Sequence, residues 1–503
     1  MARSIGRNAA SNLIAGVLPA VASLVTMPFI VHGLGSDAYG LMALITSITG
    51  YFALVDLNVT AGSVKHIAHH HALGEQDAVS RVFSFGAVVY IGIGLVGAVP
   101  LWCLAEWLPR AAFKVPAAMQ DLAAGTLRVA AFGFFFGQLQ SYLQSVPQAL
   151  LRYDVSGRLE STFGLLVPLV NVCQIALGQG LREVVLARVL LSVVNCALLL
   201  VAARQLLPGL RWRRPDRNTV AEISSFSAYA FLNRVAAVSY AQADRLIIGA
   251  MLGLTPLAYY TVAATLGNRI LSLMFRVSAV MFPAASALGA KGDSETLRRL
   301  YLRMCRYVSF ANACALLLVM AFARPVLARW MGADFAANGT LVLQLVALAQ
   351  FLDSLTNIPS LVNDGLGHPR VSGAFAISRA LLGLVAVYLC ILAWGLTGAA
   401  ASHVISSAVM TSAFLAYVHG RTVPCEMRRV WAEAYRPALP LLAVGGLFAA
   451  LLLPVASRSV GMLIALVVAL SALLAAGGIR WILMPTDRAT LHSYLQRLTG
   501  RGA

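Results

Sequence analysis

Apolar runs of about 20 residues, separated by short polar stretches, recur along the whole chain. They are too long, and too uniformly apolar, for the alternating strands of a membrane barrel. Fourteen can be drawn, at approximately 10–31, 38–61, 80–104, 122–145, 159–180, 183–205, 224–251, 256–284, 303–323, 339–362, 372–394, 396–418, 437–455 and 460–482. Backbone polar groups inside hydrocarbon must be satisfied within the segment, so each run predicts a helix. The expected fold is an all-α polytopic membrane protein of about 14 transmembrane helices. Two six-helix bundles, 1–205 and 224–420, flank a basic linker at 206–223, and an appended helix pair with a basic tail occupies 421–503.

Thr26–Asp77 shows the unit from which the chain is built. An apolar segment ends in the uncharged turn His32-Gly33-Leu34-Gly35-Ser36, re-enters through Tyr39 and Gly40, and ends near Asp56 in a polar, basic stretch. The outer turn carries no Lys or Arg, whereas Arg3, Arg7, Lys65 and Arg81 flank the other ends. With the N-terminus in the cytoplasm, Lys and Arg favour cytoplasmic over outer ends by roughly four to one across the chain, which predicts an even number of spans with both termini inside. The longest outer loops, Glu106–Asp121 and Arg324–Asn338, leave no room for an extramembrane domain. Arg3 and Arg7 before Leu13–Val21 mimic a signal peptide, but the apolar run continues to Val31 and is expected to be retained as the first span.

Composition sharpens this. The 503 residues are 59% hydrophobic and 12% charged, with a net charge of +18. Without a soluble domain, that charge does not imply nucleic acid; it orients loops and can meet an anionic, membrane-borne ligand. The 7 cysteines are scattered singly, which argues against a disulfide or metal framework. His66 and His70 have i, i+4 spacing, with His69, His71 and Glu75 nearby, but no H-E-x-x-H pattern exists. A solvated cytoplasmic loop is the better reading there, and no metal is expected. Without a P-loop motif or a nucleophile constellation, no enzyme activity is expected either.

An internal repeat is visible. Leu34-Gly35-Ser36-Asp37-Ala38-Tyr39 follows the first span, and Leu252-Gly253-Leu254-Thr255-Pro256-Leu257-Ala258-Tyr259 follows the seventh. PQALLRYDVSG at 147–157 is echoed by PSLVNDGLGHPRVSG at 359–373. Parallel repeats of this kind place a transporter's substrate site at the repeat interface. LGSDAYGL with ALVDLNVTAGSVKHIA, QALLRYDVSGRLES, and ADRLIIGAMLGLTPLAYYTVAATL with MFPAASAL together resemble the polysaccharide-transporter branch of the multidrug/oligosaccharidyl-lipid/polysaccharide exporter superfamily. The resemblance covers about residues 5 to 420, and Asn58 stands where many members have glycine. It implies a flippase that moves undecaprenyl-diphosphate-linked repeat units across the inner membrane by alternating access. Its partners would be membrane lipids and other polysaccharide assembly proteins.

Charges within the spans are the best functional pointers, because burying each costs at least ~2.5–3.5 kcal/mol. Arg234 and Arg245 are eleven residues apart, about 20° around a helix, and Arg269 and Arg276 are seven apart. The four guanidiniums on two successive spans are the candidate substrate-binding residues, since the planar fork suits phosphate. Asp353, Asp244 and Asp56 are candidates for proton or sodium coupling, and no other cofactor is expected. Arg128, Arg188 and Arg379 lie near span ends and read as snorkelling. Two alternatives stand beside the flippase. A drug exporter of the same superfamily would need more carboxylates than the spans hold, and a membrane-embedded polysaccharide enzyme would need a large outer loop.

Overall fold

A computed structural model describes residues 19–52, 59–214, 228–271, 278–423, 425–456, 459–489 and 493. Among the described residues the secondary structure is entirely helical. Nine helices there are long and apolar enough to cross a membrane, and a shorter apolar helix spans Pro19–Leu34. The chain packs as two units, Met1–Ala258 and Tyr259–Ala503.

The first unit holds α1 (Pro19–Leu34), α2 (Ser36–Phe52), α3 (Val59–Ala72), α4 (Gln76–Cys103), α5 (Gln120–Leu143), α6 (Ser145–Ala149), α7 (Tyr153–Ala176), α8 (Leu181–Leu206), α9 (Ala228–Met251) and the start of α10 (Leu254–Leu271). α5 packs against both α4 and α8, and α9 packs against α2. That last contact carries α9 into the first unit. The two glycine turns of the repeat meet within this unit. Gly35 and Gly253 both take positive φ, 83° and 93°, a conformation that glycine adopts without a Cβ penalty. Beside them Asp37 hydrogen-bonds Thr255, and α2 touches the backbone of Leu254 at Gly40. The loop after α4 joins the same end, where Lys114 N donates to Gly249 O at 3.2 Å.

At the other end, Tyr90 and Tyr142 stack at 5.2 Å, fully buried in an apolar cluster. The Tyr142 hydroxyl donates to Phe83 O at 2.8 Å, giving the buried polar tip its partner. The first residues past α8 lie along α4. Arg211 N and Arg213 N donate to Ser80 Oγ (3.2 Å) and Ser84 Oγ (3.0 Å), two hydroxyls one helical turn apart. The histidine segment is not a loop. His66, His69, His70 and His71 form the last turns of α3, and the chain reverses only at Gly74, φ 77°. Hydropathy misses this because a helix continuing past the membrane surface loses its apolar signal but not its backbone bonds. His66 stacks on His70, and His70 Nδ1 lies 2.7 Å from Glu75.

The second unit contains the rest of α10, then α11 (Met281–Lys291), α12 (Ser294–Trp330), α13 (Ala333–Ser354), α14 (Asn357–Gly365), α15 (Pro369–Tyr417), α16 (Leu439–Ala456) and α17 (Val460–Gly477). The run expected at 256–284 is broken by a turn at 279–280, ahead of Pro283 near the start of α11. The loop expected at Arg324–Asn338 reduces to Met331 and Gly332, because α12 runs on to Trp330. α15 is two spans folded back on each other at Gly395 (φ 56°, ψ −133°), where the sequence separates runs 372–394 and 396–418. Arg379 Nη2 reaches Ser407 Oγ at 3.3 Å, and the Phe375 and Tyr417 rings are 6.0 Å apart across the fold. α16 and α17 pack on α12 through Phe322, Leu441, Leu463, Leu470 and Leu474. The following tail is pinned by Arg303 to Asp487 (2.9 Å) and by Arg306 to the Trp481 carbonyl (2.7 Å).

α12 begins with Asp293, whose carboxylate accepts from Thr296 N at 3.1 Å. That backbone hydrogen bond holds the carboxyl below its ordinary range. A depressed folded pKa gives a contribution present above the unfolded value, about 4, and lost as pH falls through the folded value. Asp293→Asn keeps a capping oxygen but not the titration. Its melting temperature should therefore fall less than the wild type's on acidification from about pH 5 to about pH 3. Equal falls would show that the titration of Asp293 does not contribute.

Candidate functional site

A cavity of 430 Å³ opens inside the first unit between α2, α5, α8 and α9. Gly50, Gly133 and Gly137 give it room, while Thr46, Thr49, Gln138, Arg188, Ser192 and Gln242 supply its polar lining. A Cβ added at Gly50 would come within 2.9 Å of Gln242 Nε2, so that glycine keeps the amide in place. The threonine hydroxyls are committed to helix carbonyls, Thr46 to Met42 O (2.7 Å) and Thr49 to Ile45 O (3.0 Å). In contrast, Arg188 Nε and Gln242 Oε1 are buried without a hydrogen-bond partner among the described residues. Arg245 Nε, on the turn after Gln242, is in the same condition. Tyr39 lies within electrostatic range of both Arg245 and Arg188, which brings α2, α8 and α9 together around two cations. Uncommitted guanidinium and amide groups in a cavity at membrane depth suit phosphate and sugar hydroxyls.

Arg188 corrects the sequence reading, which assigned it to snorkelling. It is the eighth residue of α8, about 10 Å from the helix start, and it shares a face with Val185, Val189 and Ser192 on the cavity wall. Leu186, Leu190, Val194 and Leu198 form the exposed stripe instead, on the opposite side. This i, i+4 stripe is legible in the sequence and would have placed Arg188 inward. Arg128, at a similar distance from the start of α5, is instead partly exposed, paired with Glu106 and 5.9 Å from the Trp102 ring.

The other described candidates fall in both units. Arg234 lies on α9 with its side chain outside the described residues, and Arg276 and Asp56 are outside them altogether. Arg269 is an exposed residue of α10 in the second unit. Asp244 accepts from the Arg245 backbone N–H at 2.7 Å. Asp353 is paired with Arg379, both largely buried, and this too replaces a snorkelling assignment. Arg379 also lines a pocket of 150 Å³ with Thr356, Ser360, Ser372 and Thr411. Nearby on α15, His403 Nε2 is 3.0 Å from the Tyr260 hydroxyl. Asp353 thus sits in a polar network within the second unit rather than alone in hydrocarbon.

The helical architecture is shared with solved membrane-protein structures. It matches an inward-facing multidrug resistance MATE family transporter of the MOP superfamily with a TM-score of 0.70 at 15% identity, over 82% of this chain and 98% of that one. It matches the lipid II flippase MurJ, inward closed, with a TM-score of 0.68 at 12% identity, over 93% and 98%. The likeness to these structures is one of fold. Residues 34–337 match the family described as "Polysaccharide biosynthesis protein", and the chain belongs to that family. Among its relatives, "Uncharacterized membrane protein EpsK" of Bacillus subtilis (strain 168) is 22% identical over 430 residues, 82% of this chain and 83% of the relative. The "Putative O-antigen transporter" of Shigella flexneri is 19% identical over 411 residues, 79% and 94%. The chain is a multi-pass protein of the bacterial inner membrane, in a family of polysaccharide biosynthesis.

Proposed function

We propose that the chain is a flippase that carries undecaprenyl-diphosphate-linked oligosaccharide repeat units from the cytoplasmic to the outer leaflet by alternating access. The observation that carries this reading is the first unit's cavity, where the buried Arg188 Nε and Gln242 Oε1 lack partners among the described residues. A lipid-linked diphosphate supplies anionic oxygens for the guanidinium, and its sugars supply hydroxyls for the amide. The family, the name of one relative, a putative O-antigen transporter, and the fold shared with a lipid II flippase support the same reading. A cationic drug would find the wrong charge here.

Fourteen spans with both ends in the cytoplasm form part of the proposal, supported by the uneven placement of Lys and Arg. Asp353 is the proposed coupling residue for protons or sodium. Paired with Arg379, it takes up a cation only as that pair loosens, which ties uptake to rearrangement of α13 against α15.

The test is transport in vesicles holding the full chain and a fluorescent polyprenyl-diphosphate oligosaccharide, read by headgroup accessibility under proton and sodium gradients. Protein-dependent movement that responds to one gradient, with Asp353→Asn moving substrate but ignoring that gradient, is the expected result. An unaltered gradient response in the variant would discard Asp353. No movement by folded protein under either gradient would discard the flippase.

A further inference from the structure

The second unit has a cavity of 940 Å³ that shares no residue with the cavity of the first. It lies where α12 begins, α15 ends and the connector to α16 starts. Arg298 comes from α12, His419 and Gly420 from the end of α15, and Glu426, Met427 and Arg429 from the connector. By length and composition three candidate spans, Ser294–Trp330, Pro369–Thr422 and Met427–Pro454, start or finish here, which puts the cavity at the polar edge of the membrane.

The cavity is cationic and partly uncommitted. Arg298 gives one contact to Glu295 (2.6 Å), and Arg429 gives one to Glu433 (2.6 Å). A guanidinium has five N–H donors, so each retains several. Arg299, Arg421 and Arg428 are exposed close by and keep the local balance positive against Glu295, Glu426 and Glu433. Behind the wall, His419 is 5% exposed, with Nε2 2.7 Å from the Tyr301 hydroxyl. Its Nδ1 is buried without a partner among the described residues. The lip is apolar. Met427 is 45% exposed and Trp431, four residues on and therefore on the same face, is 51% exposed. Trp431 also leans on Tyr435, with rings 6.2 Å apart, in the manner of an interfacial aromatic belt.

Cations in a recess with an aromatic and thioether lip at a membrane boundary match a molecule with an anionic head and an apolar body. We propose that this cavity binds the phosphodiester headgroup of an anionic membrane phospholipid, clasped by Arg298 and Arg429, with its acyl chains leaving past Met427 and Trp431. Glu426 is the one acidic residue of the lining and opposes the headgroup. Binding here joins the start of α12 to the connector and fixes how the appended pair is held.

The test is lipid retention by the full chain, purified in detergent and exchanged with phosphatidylglycerol or phosphatidylcholine, read by native mass spectrometry. Phosphatidylglycerol should be held on the order of tenfold more tightly than phosphatidylcholine, and the preference should vanish in Arg298→Gln/Arg429→Gln. Arg110→Gln, on an exposed pair of the first unit, should leave it intact. Glu426→Gln should strengthen retention about threefold, and it decides the matter if the double variant fails to fold. Equal retention of the two lipids, or no effect of Glu426→Gln, would overturn the proposal. So would binding of inorganic phosphate with no lipid preference, which would assign the cavity to a soluble anion.

Discussion

Arg188→Gln is expected to lower the rate of headgroup movement by about ten- to a hundredfold while leaving the protein folded. A hydrogen bond to a charged group contributes about 1.5–3 kcal/mol, and each 1.4 kcal/mol is a factor of ten. Arg188 has that much to give because its Nε is uncommitted in the resting cavity. Removing the charge also removes a burial cost, so folding should not suffer. Arg188→Lys should recover part of the rate, since a point charge remains but the bidentate fork does not. Arg128→Gln is the matched control, a partly exposed Arg tied to Glu106, and should transport normally. Normal transport by Arg188→Gln would mean that the cavity of the first unit does not hold the headgroup.

Gly40→Ala should be the most damaging single methyl group in the first unit. Its Cβ would stand 2.1 Å from Leu254 O and 2.7 Å from Leu254 C. Both are backbone atoms at the start of α10, so no rotamer change relieves the clash. Overpacking a core costs about 1–3 kcal/mol when side chains can give way, and here helices must separate. A melting temperature lowered by many degrees, or loss of the monodisperse peak in detergent, is the expected result. Gly92→Ala is the comparison, because nothing lies within 4 Å of its Cβ position, and it should melt at or slightly above the wild-type temperature. If the two variants melt alike, the close approach at Gly40 is not needed for folding.

Hydropathy found the helices because a bilayer leaves the backbone little choice, and it found the turns at Gly35, Gly253 and Gly395 because each interrupts an apolar run. It failed at helix ends outside the hydrocarbon, such as His66–His71 on α3 and the first turns of α12, where polar residues continue a helix without an apolar signal. The candidate site was harder. Charge in a span marks Arg245 and Asp353 as unusual but says nothing about neighbours. The Arg379 partner of Asp353 is 26 residues away, across a change of helix, and only packing joins them. Arg188 was misread because depth was judged from distance to the span end. The lipid-facing leucine stripe of α8 is the better guide, since it fixes direction rather than depth.

The fold-back at Gly395 bears on how the chain is made. Two crossings joined through a single residue leave no aqueous loop to be threaded out after the first has settled. Arg379 in the first crossing meets Asp353, made before it, and Ser407 in the second crossing, made after it. With no loop to separate them, the two crossings are expected to enter the bilayer together, as one hairpin. A side chain at position 395 would strain the positive φ and act at this moment of biogenesis, before any transport could be measured.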